Sequence, residues 1–431
     1  MTVLERYREK CVSAKEALAF IRPGDEIVSA FGAGEAPTIL GQLHTLAGRV
    51  EGLSVWMSMS LPSYPFLIDP AYEEAFEVNS WFHGPAQRKA QSVRHISFQP
   101  GHLHNVVPRK YSVSVPRVYV GSCTPPDRHG YVKTSMSVTY ERLPIETAEI
   151  LLMEVNPNLP HVWGDTELHI DRVSAFVESD CPAMEIPIAP IGDKDRAIGR
   201  HIAELVRDGD TFQLGIGSIP NAVAQAFIGK KHLGVHTEMI SSSMADLVQS
   251  GVIDGSRKTL HPGKLVGTFI LGDRKLYDFV DNNPSVLLLR GDYVNDPAII
   301  ARNDNMVSIN TGLQVDLTGQ VASESIGHSV FSGSGGQNDT AEGAIHAKNG
   351  RSIIALYATA KEDTVSTITP ALYPGAAVTL SRNNIDFIVT EYGIAPMRGL
   401  PVRQRVHNLV AVAHPKFREQ LIFDAKANRL I

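Results

Sequence analysis

Short apolar runs rich in Val, Ile and Leu alternate along this chain with longer amphipathic segments. The runs EIVSAF (26–31), RVYVGS (117–122), EILLMEV (149–155), SVLLLRG (285–291), SIIALYA (352–358) and FIVTEYG (387–393) are bounded by Gly, Pro and Asp. Brief, nearly continuous runs of this kind predict strands buried on both faces of a sheet. ERYREKCVSAKEALAFI near the start, AIGRHIAELV (197–206) and NAVAQAF (221–227) predict helices. Alternation of the two element types gives an α/β fold.

An internal repeat refines that class. Ala19-Phe-Ile-Arg-Pro-Gly-Asp25 resembles Glu204-Leu-Val-Arg-Asp-Gly-Asp210, and each precedes a strand and a small-residue turn, AFGAGEAP (30–37) and GIGSIP (215–220). Pro126-Asp-Arg-His-Gly-Tyr-Val132 parallels Val315-Asp-Leu-Thr-Gly-Gln-Val321, and LLMEV (151–155) parallels FIVTEYG (387–393), each with a Glu at the strand end. One such match is ordinary among α/β units. Three in the same order predict two related halves, 1–190 and 191–431, joined through the proline-bearing segment SDCPAMEIPIAPIGDKD (179–195).

Composition narrows the function. With 431 residues, 43% hydrophobic and 20% charged, the chain is a globular protein of two or more domains. Its formal net charge of −6 offers no general field for nucleic acid. No apolar run reaches the ~18–20 residues of a membrane-spanning helix, and the charged N-terminal stretch is no signal peptide. Cys11, Cys123 and Cys181 are few, scattered and odd in number, which points to a reducing cytoplasm. The expectation is a cytoplasmic enzyme or large binding protein without nucleic-acid or membrane partners.

Candidate chemistry gathers in the second half. Gly215-Ile-Gly-Ser-Ile-Pro-Asn221 lies between a predicted strand and helix, where free backbone N–H groups can meet an anion or an oxyanion. It is neither a dinucleotide fingerprint nor a Walker A loop, and a plain structural turn remains open. Glu238 in GVHTEMI is costly to bury unless paired or reactive, although a solvated strand-end glutamate reads equally well locally. His236 with Glu238 matches no zinc motif, so no metal is expected. Ser332-Gly-Ser-Gly-Gly-Gln-Asn-Asp339 allows close backbone approach to a ligand or forms a surface loop, and lacks the strand–turn–helix setting of a nucleophilic serine.

Taken in order, these motifs resemble the class I coenzyme A transferases of the acetyl-CoA hydrolase/transferase type, in particular the 4-hydroxybutyrate and butyrate transferases. PPDRHGY (125–131), EVNPNLPHVWGD (154–165), LGIGSIPNAV (214–223), HTEM (236–239), YVNDP (293–297), INTGLQVDLTG (309–319), SGSGGQ (332–337), TEYGIA (390–395), RGLPVRQR (398–405) and AHPKFRE (413–419) carry the resemblance over nearly the whole chain.

The resemblance implies a duplicated α/β fold with the active site between its halves. It implies Glu238 as the nucleophile, oxyanion N–H groups at Ile216 and at Gly335 or Gly336, and a ligand-lining role for Gly215, Gly217, Asn310, Gln337 and Glu391. It also implies coenzyme A and acyl-CoA as substrates with small carboxylates as partners, no prosthetic group, and a homo-oligomer, dimer or tetramer. A hydrolase using the same Glu, or a non-catalytic acyl-CoA-binding protein, are the alternatives. Two positions depart from the family pattern: Ser241-Ser242-Ser243 stands where relatives carry S-D-G, and Pro396 stands where they usually carry Asp. The aromatic and sulfur-bearing segment Trp56, Met57, Met59, Tyr64 and Phe66 reads as core or as acyl-pocket lining.

Overall fold

All six apolar runs form strands, at Glu26–Ser29, Val118–Cys123, Ile150–Val155, Val286–Leu288, Arg351–Ala355 and Phe387–Thr390. The computed structural model describes residues 2–431. Its contacts divide into two units. One takes the chain up to Ile186 together with Gly267–Tyr293; the other takes Pro187–Val266 and Val294–Ile431.

In the first unit, β1 (Glu26–Ser29), β2 (Leu53–Trp56), β3 (Phe76–Ser80), β4 (Ser97–Phe98), β5 (Val118–Cys123), β6 (Ile150–Val155) and β7 (Ala175–Glu178) form a parallel sheet. Their spatial order is β7-β6-β5-β1-β2-β3-β4. Ile27, Val55, Val78, Val118 and Leu152 are all at most 1% exposed within one core cluster. Each such side chain stabilises the sheet by ~1.5–3 kcal/mol relative to exposure. Met57, Tyr64 and Phe66 belong to this core, and Trp56 stacks on Trp81 with ring centroids 5.1 Å apart.

In the second unit, β8 (Thr211–Leu214), β9 (Gly234–His236), β10 (Leu265–Gly267), β11 (Met306–Thr311), β12 (Arg351–Ala355), β13 (Phe387–Thr390) and β14 (Gly393–Pro396) run side by side. The order is β14-β13-β12-β11-β8-β9-β10, parallel throughout except for the edge hairpin β13–β14. Pro396 closes that edge strand, where a residue without an N–H costs the sheet nothing.

Both units are wound alike. The first strand is central, the next strands extend to one side, and the chain then returns to build outward on the other. The repeated motifs adopt matching local structures. Asp25 accepts the Arg22 N–H and Asp210 the Arg207 N–H, both at 2.7 Å, and each pairs with an arginine, Arg117 or Arg351. Asp127 Oδ1 accepts the His129 and Tyr131 N–H groups. Asp316 Oδ1 likewise accepts those of Thr318, Gly319 and Gln320. Gly130 and Gly319 hold φ of +89° and +101° in these turns, a region that disfavours a side chain.

Two predicted elements differ. The N-terminal helix is split into Val3–Lys10 and Ala14–Ala17, because Ser13 and Glu16 form a capping box that starts a second helix. SVLLLRG is a strand only over Val286–Leu288 and turns into the short helix Gly291–Val294. Residues 179–192 carry no helix or strand. No helix among the described residues is long and apolar enough to cross a membrane.

Candidate active site

Parallel strands bring their carboxyl ends to one edge, and ligands in such sheets bind where the winding changes direction. In the second unit that point lies between β8 and β11. The turn Gly215–Gly217 follows β8, Glu238 follows β9, and Asn310 lies one residue before the end of β11. Tyr357 and Glu391 follow β12 and β13 on the same edge.

Glu238 sits in the break between β9 and the short strand Met239–Ile240, partly buried. Its Oε2 accepts the backbone N–H of Gly336 at 2.8 Å. Gly336 is the N-cap of the helix Gln337–His346, so the carboxylate meets the positive end of a ten-residue helix. A Cβ on Gly336 would collide with both Glu238 Oε2 and Asn295 Nδ2. Only glycine allows this approach.

Asn295 is 1% exposed, and among the described residues its amide has no hydrogen-bond partner elsewhere. It lies against the Glu238 carboxylate and stabilises the charged form. His236, also 1% exposed, donates from Nε2 to the Val294 carbonyl at 2.8 Å. That bond ties the strand leading to Glu238 to the segment carrying Asn295. Burial pushes the His236 imidazole down to about 3, with Lys258 nearby adding to the effect. The ring is therefore a neutral tie.

The Glu238 carboxyl is pushed up from 4.5 to about 7, first by burial and further by the negative charge of Asp339; the Gly336 N–H and Asn295 draw it down. It therefore stands between acid and carboxylate at neutral pH.

The other expected residues fall into two groups. Gln337 Nε2 donates to the Thr311 carbonyl at 2.9 Å, and Asn310 Nδ2 donates to Ser308 and Thr340 hydroxyls. Gln213 donates to Asn310 Oδ1 at 3.2 Å. This lattice fixes the Gly335–Gly336 approach to Glu238, with Gly335 at φ +50°. A Cβ at Gly215 would instead meet no atom within 4 Å, one at Gly217 would reach only Pro220 Cδ at 3.9 Å, and Ile216 is 41% exposed. Glu391 accepts the Ala358 N–H at 2.8 Å and faces Lys194 at 3.5 Å. Ser241 is the N-cap of the helix Ser242–Gln249 and its hydroxyl lies 3.0 Å from that of Ser243. The three serines thus fall at a helix start directly after the segment carrying Glu238.

Asn295, His236 as a tie and Asp339 escape local sequence reasoning. Asn295 lies within YVNDP, yet nothing in that pattern singles it out from a turn asparagine.

Profiles of the acetyl-CoA hydrolase/transferase N-terminal and C-terminal domains match residues 1–190 and 272–425. The 4-hydroxybutyrate coenzyme A transferase of Clostridium kluyveri is 41% identical over 426 residues, covering 98% of both chains. This chain belongs to the acetyl-CoA hydrolase/transferase family. The succinyl-CoA:cyclohexane-1-carboxylate CoA transferase of Geobacter metallireducens is also 41% identical, over 97% of this chain and 95% of that protein. Among solved structures, RipA from Yersinia pestis superposes with a TM-score of 0.94 at 33% identity, covering 100% of each chain. These full-length relatives bear out the α/β fold with two large parallel sheets and the expectation of an enzyme. Among the described residues of this family member, no cluster of His, Cys, Asp and Glu is placed to hold a metal ion.

Proposed function

We propose that this protein is a CoA-transferase that moves coenzyme A between an acyl-CoA and a carboxylate, with Glu238 as the nucleophile. The observation that carries the reading is the Glu238 carboxylate held against the Gly336 N–H and Asn295 and tuned to about 7. A thioester has a good leaving group, so a positioned carboxylate can attack it without a strong acid.

Glu238 attacks the acyl carbonyl, the C–S bond breaks, and an acyl-glutamyl anhydride and CoA thiolate form. The thiolate attacks the glutamyl carbonyl, releases the first carboxylate and leaves a glutamyl-CoA thioester. An acceptor carboxylate attacks that thioester, expels CoA thiolate and forms a second anhydride. Thiolate attack on its acyl carbonyl releases the new acyl-CoA and restores Glu238. No step requires an external proton or oxidant. Each tetrahedral intermediate carries an oxyanion, for which Gly336 N–H on one side and Ile216 N–H in the open turn are suited donors. One such donor contributes ~3 kcal/mol.

Acetate, butyrate and 4-hydroxybutyrate are the acids to try first. We read residues 1–190 and 191–431 as two copies of one transferase unit, acting in the cytoplasm as a homo-oligomer without a prosthetic group; the three cysteines are all free thiols. The test is incubation with acetyl-CoA and borohydride. Modification should map to the peptide containing residues 236–239, and CoA release should depend on an added acid. Release that is indifferent to acetate would favour hydrolysis by the same residue, and modification elsewhere would remove Glu238 from the mechanism.

A further inference from the structure

The glycine turn after β8 is part-exposed: Ile216 is 41% exposed, a Cβ at Gly215 would meet nothing within 4 Å, and Gly217 adopts φ +125°. Its anchor is the next residue. Ser218 begins the helix Ser218–Ala226, and its Oγ lies 3.0 Å from the hydroxyl of Tyr357. Tyr357 follows β12 and donates to Asp195 Oδ1 at 2.5 Å. Asp195 is 5% exposed in the first turn of the helix Asp193–Leu205, where its Oδ2 accepts the Gly192 N–H at 2.7 Å.

Counting protons fixes the direction of this chain. An ionised carboxylate only accepts, and a tyrosine hydroxyl has a single proton. With that proton on Asp195, Tyr357 accepts from Ser218. Ser218 then retains only acceptor capacity on its other side.

We propose, on the basis of the transfer reading above, that Tyr357 and Asp195 are positioning residues. They fix the Gly215–Ser218 turn and aim the Ser218 proton away from the ligand. The turn then offers a developing oxyanion backbone N–H groups alone. A substrate group facing Ser218 must itself be a donor, such as an amide N–H or a hydroxyl. Tyr357→Phe removes the hydroxyl but keeps the ring, freeing the Ser218 rotor and releasing the tether.

The test measures single-turnover formation of the Glu238–CoA adduct by intact mass on mixing with acetyl-CoA, with KM and Tm alongside. Tyr357→Phe and Ser218→Ala should each slow adduct formation about tenfold, as expected for a slightly misplaced donor. KM for acetyl-CoA should stay within about twofold and Tm within about 2 °C. The double variant should be no slower than either single one, because both remove the same link. The proposal is overturned if Tyr357→Phe forms adduct at the wild-type rate, if the two losses multiply, or if the loss follows a fall in Tm. If the wild-type protein forms no Glu238 adduct, the transfer reading fails and takes this proposal with it. An adduct formed equally by Tyr357→Phe sinks the proposal alone.

Discussion

Gly336 donates its backbone N–H to Glu238 Oε2 at 2.8 Å, and the space a side chain would need at Gly336 is filled by that same carboxylate and by Asn295. The donor and the requirement for glycine are one feature. A backbone N–H reaches the carboxylate only because no Cβ stands in the way.

Gly336→Ala should therefore act on chemistry before stability. The methyl group must displace Glu238 or Asn295, costing the hydrogen bond to the Glu238 carboxylate. We expect kcat to fall by about 10²-fold or more, the range for loss of one oxyanion-type donor. The backbone φ of −90° is open to alanine, so Tm should change little. Steady-state kinetics with a thermal melt checks this; wild-type turnover in Gly336→Ala would show that the close approach is dispensable.

The Glu238 carboxyl, raised to about 7, predicts the pH dependence of both rate and stability. Only the ionised form attacks, so kcat/KM should fall about tenfold per pH unit below about 7 and level off above about 8. For stability the sign is the reverse of a salt-bridged acid. The fold favours the proton, so this site's contribution is complete below about 4.5 and is lost as pH rises through about 7. Glu238→Gln should abolish turnover and yet melt higher than wild type at pH 8, with the gap closing towards pH 5. An acid limb near 4.5, or a Gln variant that melts lower at pH 8, would contradict the environment described. Asp339→Asn removes a negative charge that raises this group, and should move the acid limb to lower pH.

Asn295 makes a sharper case because its amide has no other hydrogen-bond partner among the described residues. Asn295→Ala should lower kcat about 10- to 100-fold with KM for acyl-CoA nearly unchanged, since the charged nucleophile loses a stabilising dipole. Asn295→Asp sets a second carboxylate beside Glu238, and like charges disfavour ionisation. The acid limb of kcat/KM should then move to higher pH. A profile that stays in place in the Asp variant would show that Asn295 does not sense the nucleophile's charge.

Local pattern made the strands and both glycine turns legible. Buried runs such as ILLMEV and the Gly215 and Gly335 segments carry their signals within a few residues. The repeated motifs were legible for the same reason: Asp25 and Asp210 make matching turns, and so do Asp127 and Asp316. The break at Cys11–Ser13 was not read, because the amphipathic pattern continues across it although Ser13 and Glu16 form a capping box there. What lay beyond reach depends on contacts distant in sequence. Asp195 meets Tyr357 across 162 residues, and Gly336 meets Glu238 across 98. Neither Asn295 nor Asp339 announces its charge effect on Glu238, because such effects belong to the packed site and not to any one segment.

The ion pair Arg351–Asp210 offers a last test, of stability and not of catalysis. Its side chains are 9% and 3% exposed, whereas the Arg274–Asp278 pair is 61% and 60% exposed. Burial raises the Asp210 carboxyl and lowers the Arg351 guanidinium despite their pairing, so desolvation outweighs attraction at both partners. Such a pair adds little net stability, but breaking it strands a buried charge. Arg351→Met should destabilise the protein by about 3–5 kcal/mol in urea unfolding. Arg274→Met should cost less than about 1 kcal/mol. Adding Asp210→Asn to Arg351→Met removes the stranded charge and keeps an acceptor for the Arg207 N–H, so the double variant should recover most of the loss. If the double variant is as unstable as Arg351→Met alone, the cost lies in lost packing of the arginine and not in the buried charge.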